Sequence, residues 1–176
     1  MSKDANPSSI SDVGVAAESA YAGFKGASMN VLINMPNIEN NDFVVTNQFE
    51  LQGFKNPIFP DIVLFVNGFP LVLIECKSPF RRNWLEDAVE RENFRKYRST
   101  GIGYERLMFY NHILVAACGT QARHGTISSD VNHFQNSRWS SVYQKTTEEV
   151  EKEFGRSREQ EVLIAGMLNK QTLLDL

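Results

Sequence analysis

Residues 58–79, IFPDIVLFVNGFPLVLIECKSP, constrain this chain more than any other stretch. Two apolar runs, Ile62–Val66 and Leu71–Ile74, flank Asn67-Gly68, a pair that favours the tight turn of a β-hairpin. Asp61 opens the first run after Pro60, while Glu75 and Lys77 close the second on either side of Cys76. Ionisable groups at the tips of apolar strands are costly to bury without a partner or a chemical task. Two carboxylates and an ammonium are the minimum set for holding a divalent cation and activating a water.

Whether the three groups can meet depends on register. Period-two alternation puts Glu75 and Lys77 on one strand face with Leu73 and Leu71, and Asp61 on a face with Val63 and Phe65. A plain two-residue turn pairs Val66 with Phe69, sets Asp61 opposite Ile74 and scatters the carboxylates across the sheet. A three-residue loop, Val66-Asn67-Gly68 with Gly68 left-handed, pairs Phe65 with Phe69 and sets Asp61 opposite Leu73, diagonal to Glu75. The expectation is therefore an odd-length loop or a bulge in this hairpin. In such a site Asp61 and Glu75 hold Mg2+ or Mn2+, and the Cys76 backbone carbonyl supplies a further oxygen. Lys77 orients or helps deprotonate a water, or steadies developing negative charge.

Around the hairpin, residues 1–29 are rich in Ser, Ala and Gly and read as a weakly ordered segment, with a weak helix over Val13–Phe24 containing Glu18. Val31–Met35 suits a strand. Phe43–Leu51 alternates, with Phe43, Val45, Phe49 and Leu51 on one face. Asn83 with Glu86 resembles a capping box opening one helix to about Arg98, in which Val89, Asn93 and Tyr97 share an i,i+4 row. Leu107–Tyr110 and His112–Ala117 are apolar again, the second a strand; Gly119 and Gly125 bracket a loop or hairpin. Phe134 and Trp139 anchor a polar stretch. Thr146 and Glu149 open a helix to about Phe154, and another runs from about Arg158 to Leu168. The order of elements gives an α/β or α+β domain with a mixed central sheet over residues 30–145. Residues 146–176 read as a helical connection out of it, as in a fragment of a longer polypeptide.

Hydrophobic residues make up 42% of the 176-residue chain and net charge is −3, so no global basic field exists and any polyanion site must be a local patch. Such a patch stands after the hairpin: Lys77, Arg81, Arg82, Arg91, Arg95, Lys96, Arg98 and Arg106 face only five acids in thirty positions. The alternative is an ordinary solvated helix face with i,i+4 pairs. Cys76 and Cys118 lack the number and spacing of a disulfide framework or a zinc site. Cys76, pointing away from Glu75 and Lys77, reads as core. His112, His124 and His133 have no metal-ligand spacing, although His124 in its Gly-flanked loop could touch a polyanion. Ser78 has no supporting His for a nucleophilic role. No stretch approaches the roughly 18 apolar residues of a membrane span, and no signal-peptide pattern opens the chain, so the cytoplasm is the default compartment.

Pro60-Asp61 with Glu75-Cys76-Lys77 resembles the PD-(D/E)xK nuclease motif. Asn41-Asp42-Phe43, VTNQF at 45–49 and the whole hairpin resemble the nuclease domain of type I restriction enzyme R subunits. So do Phe109-Tyr110-Asn111, Ala122-Arg123-His124-Gly125-Thr126 and Trp139, while the Leu163–Gly166 and Leu173–Leu176 stretches resemble that family's connection to its motor domains. The resemblance implies a restriction-endonuclease-like αβββαβ core whose catalytic residues are Asp61, Glu75 and Lys77. The family often adds Gln-x-x-x-Tyr on the next helix. Asn93 and Tyr97 stand there, with Asn one methylene shorter. An acidic residue on a helix before the first strand would correspond to Glu18. Implied partners are double-stranded DNA, motor domains of the same polypeptide, and modification and specificity subunits. Arg81, Arg82, Arg91 and Arg95 are the candidate DNA contacts. ATP would belong only to the full subunit, since no G-x-x-x-x-G-K-[ST] occurs here. The alternatives are a non-cleaving docking or regulatory module of the same fold, or a related phage or repair nuclease.

Overall fold

Alternating apolar segments separated by Asn-Gly, Gly-Thr and Pro-containing turns form six strands: β1 (Phe43–Asn47), β2 (Ile62–Val66), β3 (Phe69–Lys77), β4 (Ile113–Cys118), β5 (Gln121–Gly125) and β6 (Gln135–Asn136). The computed structural model describes residues 38–53, 55–136, 148–149, 152 and 159–175. The expected N-terminal helix with Glu18, the Val31–Met35 strand and Trp139 lie outside the described residues. Only Glu148, Glu149 and Lys152 of the helix expected near 146–154 are described, and they are helical.

The strands lie in sequence order in one sheet. All neighbours are antiparallel except β3 and β4, which run parallel. A parallel pair needs a long crossover. Residues 78–112 provide it, with α1 (Trp84–Glu86), a π-helical turn (Asp87–Arg91), α2 (Phe94–Arg98) and a 3₁₀ turn (Glu105–Met108). One sheet face (Val63, Leu73, Leu114, Ala116) buries Ala88, Val89, Phe94, Tyr97, Leu107 and Met108 of this crossover. Phe134 joins that core, its ring stacked 6.1 Å from Phe94. The opposite face (Val66, Leu71, Val72, Val115) packs against Leu163, Met167, Leu168, Leu173 and Leu174. These come from α3 (Glu159–Gly166) and α4 (Lys170–Leu174). The result is a three-layer α+β domain with a mixed sheet, the class expected of a restriction-endonuclease-like core.

Several local expectations change. The single helix over 83–98 is interrupted: the Glu92 amide donates five residues back to the Asp87 carbonyl, and Asn93 leaves helical geometry. Asn83 holds the N-cap position, but its side chain makes no capping bond. Leu107 and Met108 sit in a 3₁₀ turn. The tail is two helices, because Asn169 accepts from the Thr172 amide and starts a new one. Gly119 and Gly125 do frame a hairpin, β4 to β5. Cys76 is exposed rather than core, while Cys118 is buried.

Candidate active site

Two irregularities in the strands decide where the charged tips go. The Asn67-Gly68 turn has two residues, both with positive φ (52° and 82°), and pairs Val66 with Phe69. That is the register that would scatter the site. The pairing then slips: Phe65 faces Pro70, but Leu64 faces Val72. Leu71 is the extra residue of a bulge, where Pro70 has no N–H to lose from the ladder. Leu71 and Val72 consequently both reach the core that contains α3 and α4, so Leu71 does not share the Glu75 face. Beyond the bulge Ile62 faces Ile74, and the next rung sets Asp61 directly opposite Glu75. The bulge is thus present, but inside β3 rather than at Gly68, and Asp61 is opposite Glu75 instead of diagonal to it.

The second irregularity is in β1. Gln48 has φ +48°, a left-handed conformation uncommon for a residue that is not glycine. It ends the strand, so Phe49 and Leu51 reach the crossover-side core while Phe43 packs on the opposite one. The single face expected for Phe43, Val45, Phe49 and Leu51 is therefore broken. Gln48 donates its amide N–H to the Asp61 carbonyl (2.8 Å) and its Nε2 to Asp61 Oδ1 (2.7 Å). The Cys76 amide donates to Asp61 Oδ2 (2.8 Å), fixing the aspartate from the β3 side.

Glu75 is 1% exposed, and the Tyr97 hydroxyl donates to its Oε1 at 2.9 Å. Asn93 Nδ2 donates to Tyr97 Oη (3.1 Å), and Asn93 Oδ1 accepts from Lys77 Nζ. Lys77 also pairs with Glu92 Oε2 (3.1 Å), whose other oxygen accepts from Arg81 (2.7 Å). Glu75, Tyr97, Asn93 and Lys77 thus form one hydrogen-bonded chain between β3 and the crossover, with Asp61 on the rung opposite Glu75. The broken helix contributes to this arrangement, since π-turns re-aim the residues that follow them. Glu92 and Asn93 are those residues.

Burial, and then the nearby Asp61 charge, push the Glu75 carboxyl up to about 8; the Tyr97 hydrogen bond and Lys77 pull the other way. Burial and Glu75 raise Tyr97, so its hydroxyl stays protonated and donates. Two facing carboxylates, one of them buried and reluctant to ionise, lack positive charge between them. In an extended strand a residue's N–H and C=O point to the same edge, so the Cys76 carbonyl also faces Asp61. Two carboxylates and one carbonyl fit a hard divalent cation that keeps several waters. Among the described residues no third His, Cys, Asp or Glu joins them.

Residues 12–133 match the family model described as type I restriction enzyme R protein N terminus. The chain belongs to that family. It is 34% identical over 124 residues to the putative type I restriction enzyme MjaIXP endonuclease subunit of Methanocaldococcus jannaschii, covering 69% of this chain and 11% of that one. It is 32% identical over 163 residues to the type I restriction enzyme HindI endonuclease subunit of Haemophilus influenzae, covering 92% of this chain and 15% of that one. The chain therefore spans less than a sixth of the length of these curated relatives.

Within this R-protein N-terminal domain the candidate basic residues are unequally placed. Arg81 is bound by Asp87 (3.2 Å) and Glu92, and Arg91 by Glu86 (2.9 Å) and Asp87 (3.5 Å). Arg82 and Arg95 are exposed, and Arg82 lines an open groove with Trp84, Gln121 and Arg123. Arg123 pairs with Glu159, which ties α3 to the sheet. Ser78 accepts from the Phe80 amide (3.4 Å) in a turn. His112, His124 and His133 line one pocket on another part of the surface, a gathering their spacing does not foretell. Burial lowers His124 and favours its neutral form. Sequence reasoning missed Gln48 and Glu92. Gln48 stands inside the VTNQF match, which is the only signal that could have marked it; Glu92 looked like one more helix-surface acid. No described helix is long and apolar enough to cross a membrane.

Proposed function

We propose that this chain is the endonuclease domain of a type I restriction R subunit and hydrolyses phosphodiester bonds in foreign double-stranded DNA. The observation that carries this reading is the β3 bulge at Leu71, which sets Asp61 opposite Glu75 on the face shared with Lys77. Asp61, Glu75 and the Cys76 carbonyl would hold Mg2+ or Mn2+. When bound, the cation lowers the pKa of a coordinated water and offsets charge on the phosphate. Lys77, steered by Asn93, would orient the attacking water and donate hydrogen bonds to the phosphate oxygens. Tyr97 keeps Glu75 aligned and favours its ionised form. The exposed Arg82 and Arg95 contact the DNA backbone, and Arg81 and Arg91 join them by giving up their carboxylates to phosphate. Motor domains of the same polypeptide, which bind ATP, and the modification and specificity subunits complete the complex in the cytoplasm of a bacterium or archaeon.

Plasmid DNA incubated with the chain and Mg2+ or Mn2+ tests this. Wild type should nick or linearise it, and Asp61→Ala and Lys77→Ala should each lower the rate at least a hundredfold (on the order of 10² for a lost catalytic group). Cleavage that survives both substitutions refutes the site.

A further inference from the structure

Residues 45–49 carry part of the family pattern but none of the catalytic roles above. The rung that joins Asp61 to Glu75 continues one strand further. Asn47 faces Ile62, so Gln48 comes next to Asp61, and the backbone bond from the Gln48 amide to the Asp61 carbonyl (2.8 Å) shows the rung is made. Gln48, Asp61 and Glu75 thus lie in one row across three strands. We propose that Gln48 is a positioning residue: its carboxamide holds the Asp61 carboxylate so that the free lone pairs serve a divalent cation shared with Glu75. This rests on the metal-site reading proposed above.

An ionised carboxylate offers about four lone-pair positions. Nε2 of Gln48 takes one on Oδ1 (2.7 Å) and the Cys76 amide one on Oδ2 (2.8 Å). One donor on each oxygen stops the carboxylate from rotating and leaves acceptor capacity on both. Each donor is neutral, so the full negative charge remains available to a cation. A lysine or arginine in the same place would cancel it.

The backbone sharpens the point. At φ +48° glycine would sit with less strain than glutamine. Closing the β1–β2 ladder needs only the Gln48 main chain, which makes its own bond to Asp61. The side chain is explained by the carboxylate it holds. Outer residues that orient a metal ligand typically govern metal affinity by about 10–100-fold.

Gln48→Gly separates the two roles, because it relaxes the backbone and removes the amide. Thermal unfolding without metal and calorimetric titration with Mn2+ would be run on the 176-residue chain. Gln48→Gly should unfold near the wild-type temperature, the relieved left-handed strain offsetting the lost hydrogen bond, yet bind Mn2+ about tenfold more weakly. Gln48→Met, similar in length and without a donor, should lose the same affinity. Wild-type Mn2+ affinity in both variants overturns the positioning role alone, whatever their unfolding temperatures. Wild-type binding no tighter than that of Asp61→Ala overturns the metal-site reading and this role with it.

Discussion

The Tyr97 hydroxyl donates a 2.9 Å hydrogen bond to Oε1 of Glu75, joining the crossover helix to the sheet 22 residues away in sequence. Behind it the Asn93 amide works in two directions, donating to Tyr97 Oη and accepting from Lys77. One amide therefore links the residues that support both ends of the Glu75-Cys76-Lys77 segment. A glutamine at position 93 would add a methylene; the broken helix geometry lets asparagine make both bonds.

Removing the Tyr97 hydroxyl should make Glu75 harder to ionise. Burial and Asp61 already push its carboxyl up to about 8, and the Tyr97 hydrogen bond opposes them. In Tyr97→Phe the proton should be held more tightly, so the pH midpoint for Mn2+ binding should rise. Calorimetric titrations between pH 6 and about 9 check this, since a cation must displace the proton first. A midpoint equal to wild type would contradict the role given to the hydroxyl.

The same carboxyl makes stability pH-dependent without any metal. Between about 4.5 and about 8 the folded state keeps a proton on Glu75 that the unfolded chain releases. Where the folded state binds more protons, stability falls as pH rises. The metal-free chain should therefore melt at progressively lower temperature from about pH 5 to pH 8. Glu75→Gln, neutral at every pH, should flatten that slope and melt higher than wild type at pH 8. Scanning calorimetry across the range decides it, with added Mn2+ expected to restore part of the wild-type loss at the alkaline end.

Glu92 should restrain DNA binding. Hydrogen bonds from Arg81 and then Lys77 lower its carboxyl pKa, and it occupies both cationic side chains. The Glu92 side chain is 39% exposed, so a phosphate can compete for them in solvent. Glu92→Gln should bind duplex DNA more tightly in Ca2+ or metal-free buffer. Its log K against log salt slope should steepen by about one for each further phosphate neutralised. Fluorescence anisotropy at several salt concentrations measures both; weaker binding with an unchanged slope would show that Glu92 only orients Lys77.

The hairpin, the central strands and the family were legible because their signals are local: apolar runs, Asn-Gly, and charged tips. The need for an irregularity in the hairpin was legible too, from the faces Asp61 and Glu75 must share. Its location was not. Asn67-Gly68 favours a two-residue turn, and that turn forms; the slip occurs at Leu71, where a second core on the far side of the sheet receives two consecutive apolar residues. The helix break at Asn93 was equally hidden, since residues 84–98 contain neither Gly nor Pro. There, the bond Asn93 accepts from Lys77 of the sheet and the one it donates to Tyr97 override propensity. Gln48 escaped notice because left-handed backbone is usually signalled by Gly or Asn.

This division of labour in the hairpin gives a last prediction. Asn67 tolerates φ +52° and uses its side chain twice, accepting from the Asp42 amide (2.9 Å) and donating to Asn41 Oδ1 (2.7 Å). Asn67→Gly keeps the turn geometry and loses those bonds, at about 1 kcal/mol. Asn67→Ala loses the bonds and also forces a β-carbon into the left-handed region, at about 2–3 kcal/mol in total. Urea unfolding should therefore rank wild type above Asn67→Gly, and that above Asn67→Ala. Mn2+ affinity of the folded chains should stay the same, because the Leu71 bulge lies between the turn and the site and resets the register independently of it. A loss of Mn2+ affinity in step with stability would mean that the turn, rather than the bulge, holds Asp61 opposite Glu75.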